Sequence, residues 1–238
     1  GHVMIITQRL VSASVALCLC AAFLMGCGKS GSEGPVDPAT GGGASGVLQL
    51  DGAGSTFAAP LMQRWIGEYG QDQPGLSFSY EGVGSGEGIR RFIAGEVDFG
   101  ASDAAMSDEE MARVQPPAGR GVRLIPVTAG EVVIAYNMAD VEGDLHLPRD
   151  VYVDIFLGRI IRWDDPRIAA ANPDLNLPPK LIQVVARRES SGTTFAFTNH
   201  LSAVSEVWRQ DLGTGKQIDW PGGAMTAAGN EGVAQRLK

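Results

Sequence analysis

The chain has 238 residues, 44% hydrophobic and 19% charged, with a formal net charge of −8. That size suits one large or two modest globular domains, and the acidic balance argues against nucleic acid, which needs basic patches. The cysteines (Cys18, Cys20, Cys27) all lie near the N-terminus, so no disulfide is expected beyond it, and no Cys/His cluster has metal-ligand spacing. His2, His146 and His200 are scattered and read as surface or packed residues.

Residues 1–26 read as an export signal, with Met4 as the expected natural start. Arg9 supplies a positive n-region, and Leu10 to Gly26 is uncharged, right for a signal h-region and short for a membrane span. Leu24-Met25-Gly26-Cys27 resembles the bacterial lipobox, which implies cleavage before Cys27 and a diacylglyceryl group on its sulfur. An ordinary signal with a chance cysteine is the alternative. Residues 27–46 form a tether; seven of the nineteen residues after Cys27 are Gly, too little apolar surface to order themselves.

From Val47 short apolar runs alternate with helical patterns. Strands are predicted at Val47–Leu50, Leu76–Tyr80, Val97–Gly100, Val122–Val127, Val132–Tyr136 and Leu181–Val185. Helices are predicted at Ala58–Tyr69, Ile89–Ala94, from the Ser107–Glu110 capping box through Val114, at Val151–Leu157 and at Thr193–Leu201. The alternation predicts an α/β fold with a largely parallel sheet, in which ligands bind beyond the carboxyl ends of strands. A change of pattern near residues 126–131 divides it into a first lobe, 47–127, and a second, 128–238, facing each other across a cleft.

Four strand-to-helix loops carry the chemistry. Asp51-Gly-Ala-Gly-Ser-Thr-Phe57 places Thr56 and Phe57 near a helix N-terminus, a ready anion site; plain capping by Ser55 or Thr56 is the alternative. Gly82-Val-Gly-Ser-Gly-Glu-Gly88 has Glu87 where the dinucleotide fingerprint needs glycine, and no P-loop Lys. It therefore suits a single anion, with Ser85 as its hydroxyl. In Val97–Asp103 a strand ends on Ser102-Asp103; Asp103 reads equally as a turn residue. In Arg187-Arg-Glu-Ser-Ser-Gly-Thr-Thr194, Ser191, Gly192 and Thr193 are expected to present consecutive N–H groups, with the hydroxyls of Ser191 and Thr193, Arg187 to add a positive charge, and Glu189 to pair with it.

GAGSTFAAPLMQRW, GVGSGEGI, VDFGASDAAMS and RRESSGTTFAFTNHL, in that order with WDDPRIAAANPDLNLP and WPGG, closely resemble the phosphate-binding proteins of the high-affinity phosphate ABC transporter, the PstS family. The resemblance covers residues 48–238. It implies a periplasmic-binding-protein-like fold of two α/β lobes (type II) and no cofactor. It implies an exported monomer, facing the periplasm or cell exterior and held to the membrane only by its lipid. Inorganic phosphate is the implied ligand, passed to the transporter's inner-membrane permease. The implied phosphate contacts are Thr56, Phe57, Ser85, Asp103, Arg187, Ser191, Gly192 and Thr193, with Glu189 behind Arg187. Phosphate keeps a proton at neutral pH and can donate it to Asp103, whereas sulfate cannot, so Asp103 is expected to select against sulfate and molybdate.

Two departures stand out. Glu189 replaces the Asp many members carry, and Glu131 opens a strand where small residues are usual. Relative to the family about the last third is absent, so the second lobe and the return of the chain to the first are expected to be incomplete, with apolar surface left open. The alternatives are a phosphatase-like hydrolase, disfavoured because Ser85 and Ser191 lie outside G-x-S-x-G elbows and no His is near, and a truncated member that does not bind.

Overall fold

The computed structural model describes residues 2–6, 46–115, 121–138 and 141–238. The expected signal and tether lie outside these residues, apart from the backbone of 2–6 and Gly46. That short stretch, for which the sequence predicts no strand, is extended as β1 (His2–Ile6).

Beyond the tether the chain runs β2 (Leu48–Gly54), α1 (Ala59–Asp72), β3 (Leu76–Gly82), α2 (Ser85–Ile93), β4 (Phe99–Ala101) and α3 (Asp108–Ala112). These strands form a wholly parallel sheet in the order β3-β2-β4. The second group is β5 (Val133–Asn137), α4 (Arg149–Phe156), α5 (Pro166–Ala171), β6 (Gln183–Arg187), α6 (Gly192–Val204), α7 (Glu206–Asp211), β7 (Met225–Ala227) and α8 (Gly229–Leu237). Its sheet has the order β5-β1-β6-β7; β1 is antiparallel to β5, and β6 is parallel to both β1 and β7. Val47 to Lys238 fall in one compact unit that holds both sheets.

The local logic is that of the sequence. Ser107 Oγ accepts the Glu110 N–H at 3.1 Å while the Glu110 carboxylate accepts the Ser107 N–H at 2.9 Å, so the capping box forms. Asp165 caps α5 by accepting the Arg167 N–H, with Pro166 in the first turn, where its missing N–H costs nothing.

The cores are unequal. Around α4–α7, Val151, Ile155, Phe156, Ile160, Trp163, Ile168, Leu201 and Trp208 are almost wholly buried. Phe156 meets Phe197 edge-on at 4.8 Å, and Trp220 closes the cluster against Trp208 at 6.1 Å. Around the β2–β4 sheet the buried cluster is small, Ala58, Tyr80 and Ala101 backed by Met62, Ile66 and Phe99, with Ala53 and Ile89 buried beside it. No residue of α1 is fully buried.

One strand expectation fails. Val122–Val127 is irregular, and Leu124 and Ile125 are 52% and 73% exposed. A β-rich sequence becomes a strand only when a neighbour accepts its ladder. The edge strand β4 is three residues long and pairs with β2 alone.

Candidate functional site

The four loops meet between the two sheets. In the first, Ser55 is 1% exposed. Its N–H donates to Ala101 O at 2.8 Å and its carbonyl accepts the Tyr80 hydroxyl at 2.9 Å, so both neighbouring strands pin it. Ser55 Oγ accepts the N–H groups of Phe57 and Ala58, each at 3.1 Å, and donates to Asp103 Oδ1. The Phe57 N–H, assigned to the anion by the resemblance, is thus taken by a hydroxyl in this structure. Burial, then the negative charge of Asp103, push the Tyr80 phenol well above its ordinary pKa.

The second loop turns through Gly84, whose φ of +96° is a conformation only glycine adopts without strain. It delivers Ser85, almost wholly buried, as the first residue of α2. Ser85 Oγ accepts the Asp103 N–H at 3.3 Å. The Gly86 N–H donates to Ser190 O at 3.1 Å, the first bond between loops of the two sheets.

Asp103 follows β4. Its Oδ1 takes the Ser55 hydroxyl, and its Oδ2 takes the Thr193 hydroxyl at 3.3 Å from the opposite sheet. The carboxylate is exposed rather than buried, and it lines a cavity of about 810 Å³ with Phe57, Ser102 and Thr193. Water can leave the Asp103 carboxylate only when a ligand displaces it.

The fourth loop is the most buried. Ser191, Thr193 and Thr194 are at most 3% exposed, and Arg187 is 8% exposed. Ser191 caps α6 by accepting the Thr194 N–H at 3.2 Å. The N–H groups of Gly192 and Thr193, the first two of the helix, have no acceptor within it and carry the positive end of its dipole. Arg187 Nε donates to Glu189 Oε1 at 2.7 Å, Nη2 donates to the same oxygen, and Nη1 donates to Asn230 Oδ1 at 2.6 Å. Glu189 Oε1 also accepts the Gly229 N–H at 2.9 Å, while Oε2 is buried with no partner among the described residues. The longer Glu side chain thus pairs with Arg187 as the sequence predicts. Glu131, in the irregular stretch before β5, is exposed and joins none of this.

The structure therefore gathers Thr56, Ser85 and Asp103 from one sheet with Arg187, Ser191, Gly192 and Thr193 from the other. Three members were not legible as such. Ser55 reads as a capping residue, and its tie to Asp103 depends on β2 and β4 being neighbours. Asn230 lies in a run with little apolar patterning. Lys216 Nζ sits 2.8 Å from Glu110 Oε1, joining α3 to the loop before Trp220, a pairing 106 residues apart in sequence. Among the described residues no group of His, Cys, Asp and Glu could hold a metal ion, and no helix is long and apolar enough to cross a membrane.

A family model described as a PBP superfamily domain matches residues 39–238. The chain is 39% identical over 192 residues to the phosphate-binding protein PstS of Xylella fastidiosa strain Temecula1, covering 80% of this chain and 50% of that protein. It is 42% identical over 186 residues to the phosphate-binding protein PstS of Pasteurella multocida, covering 78% and 52%. An ABC-type phosphate transport receptor from Vibrio cholerae superposes with a TM-score of 0.46 at 18% identity, over 79% of this chain and 66% of that one. The chain spans about half the length of the curated relatives it matches. With two α/β sheets meeting at strand-to-helix loops, and a family match running from the tether to the last residue, the chain belongs to the PBP superfamily.

Proposed function

We propose that the chain binds inorganic phosphate between its two lobes, residues 47–127 and 128–238, and presents it to the permease of an ABC transporter for uptake. The observation that carries this reading is the pairing of opposites at one point. Asp103 faces the N-terminus of α6, with Thr193 bonded to its carboxylate and Arg187 at the end of β6, the strand before that helix. A carboxylate acceptor beside a cluster of donors suits an anion that is also a proton donor.

In this reading Gly192 and Thr193 donate their N–H groups to the anion, and the hydroxyls of Thr56, Ser85, Ser191 and Thr193 turn toward it. Phe57 contributes its N–H once the anion competes with Ser55. Arg187 has five N–H bonds, and the three hydrogen bonds to Glu189 and Asn230 leave two for the ligand. Glu189 fixes the guanidinium, and Asp103 takes the proton phosphate retains. Similarity to proteins named for phosphate binding supports the choice of anion.

The chain acts as a receptor rather than an enzyme. Ser191 Oγ accepts the Thr194 N–H, and no imidazole among the described residues is bonded to it: His200 Nε2 pairs with the Tyr152 hydroxyl at 2.7 Å, and the His146 backbone N–H is held by Asn172. The mature protein is an exported monomer held to a membrane by lipid on Cys27.

The test is selectivity. Asn at position 103 can rotate an NH₂ toward a fully ionised oxyanion. Calorimetric titration of Asp103→Asn should show phosphate weakened and discrimination against sulfate, about 10⁴ for a site demanding a matched proton, largely lost. Discrimination equal to that of the unsubstituted chain contradicts the reading.

A further inference from the structure

Every contact so far assigned to the anion comes from the four loops. One polar residue touches both halves of the site, one through its side chain and the other through its backbone, and belongs to none of these loops. Asn230 is the second residue of α8, which starts at Gly229 directly after β7. Its Oδ1 accepts Arg187 Nη1 at 2.6 Å. Its backbone N–H reaches Thr56 Oγ1, on the opposite sheet's first loop, at 3.4 Å.

The residue before it is equally committed. The Gly229 N–H donates to Glu189 Oε1, the same oxygen that holds Arg187, and Gly229 has a φ of +66°. A Cβ at Gly229 would lie 3.6 Å from Thr56 Cγ2, so the turn into α8 sits against the first loop. Val233, one turn further along α8, is buried with Val185 and Ala227, anchoring the helix on β6 and β7. The tip of α8 is thereby fixed relative to the strand that carries Arg187.

We infer that Asn230 is a positioning residue for the anion site: it fixes the Arg187 guanidinium from the side opposite Glu189 and ties it to the Thr56 loop. Glu189 alone leaves the guanidinium free to rotate about one carboxylate oxygen. A second acceptor on a different nitrogen fixes the plane and so aims the remaining N–H bonds. The acceptor is neutral, which matters chemically. A second carboxylate here would cancel the charge Arg187 contributes to the anion; an amide oxygen orients without cancelling.

This inference rests on the phosphate reading, and phosphate titration of the full chain with Asn230→Ala and Asn230→Asp tests both. Asn230→Ala should bind phosphate about tenfold more weakly, the scale of one hydrogen bond to a charged group. Asn230→Asp separates positioning from a role in the helix alone. An acidic residue in the first turn favours a helix, so a merely structural Asn230 predicts a variant as stable as the unsubstituted chain that binds as well. Positioning predicts undiminished thermal stability with binding weaker still than in Asn230→Ala, because Arg187 would face two carboxylates. Phosphate binding within twofold of the unsubstituted chain in both variants overturns the inference and leaves the phosphate reading intact. Absence of phosphate binding by the unsubstituted chain overturns the phosphate reading, and the inference falls with it.

Discussion

Gly192 and Asp103 approach so closely across the site that a Cβ on Gly192 would lie 2.6 Å from Asp103 Cβ, and equally 2.6 Å from Ser85 Oγ. The first residue of α6 can enter the opposite sheet's loops only because it has no side chain. Alanine is the better helix former, so Gly192→Ala should leave α6 intact and push the two loops apart. Overpacking of this kind costs about 1–3 kcal/mol, and phosphate affinity should fall roughly ten- to hundredfold. Circular dichroism should show unchanged helix content while calorimetry shows the loss.

The Lys216–Glu110 pair gives a pH-dependent tie between the halves. Burial pushes the Glu110 pKa up, but hydrogen bonds from the Lys216 ammonium and the Ser107 N–H, with the Lys216 charge, bring it below its ordinary value of 4.5. A carboxylate lowered in the folded state contributes stability above its unfolded pKa and loses it as pH falls through the folded one. Both side chains are partly exposed, so the contribution is about 1 kcal/mol or less. Urea denaturation should show Lys216→Ala destabilised by that amount at pH 7, with the gap to the parent narrowing as pH falls through the acid range.

Trp208 tests the larger core. It is fully buried, and its Nε1 donates to Gly213 O at 2.9 Å, closing the turn after α7. Trp208→Ala should cost about 3–5 kcal/mol through the cavity it leaves. Trp208→Phe retains most of the packing but strands the Gly213 carbonyl, at about 1–3 kcal/mol. The two urea midpoints should fall in that order.

The anchor is testable apart from the site. Metabolic labelling with a radioactive fatty acid in a bacterial host should mark the unsubstituted protein and leave Cys27→Ala unlabelled and released from the membrane fraction. Equal labelling of both would exclude Cys27 as the attachment point.

What could be read from the sequence divides along physical lines. The elements β2, α1, β3, α2 and α6 follow from local pattern, and the four loops follow from Gly, Ser and Thr placed before helices. Pairings between elements were less accessible. Val122–Val127 has strand composition but finds no ladder, because edge formation depends on a neighbour rather than on its own residues. The helix α8 carries a weak local signal, because Val233 is its single fully buried residue and only Ala234 and Leu237 of the helix pack beside it. Asn230 is hidden with it, since its partners Thr56 and Arg187 are distant in sequence and adjacent only once β6, β7 and the first loop are in place. Asp103 is legible as a candidate from its place after a strand, whereas its bonds to Ser55 and Thr193 depend on tertiary neighbours.

Loops that close on phosphate should not close on an anion without a proton. Isothermal titration of the full chain at neutral pH, first with phosphate and then with phosphate in excess sulfate, is the decisive measurement. One saturable site for phosphate is expected, with affinity unchanged by sulfate at matched ionic strength. No saturable heat with phosphate, or displacement of phosphate by equimolar sulfate, would contradict it.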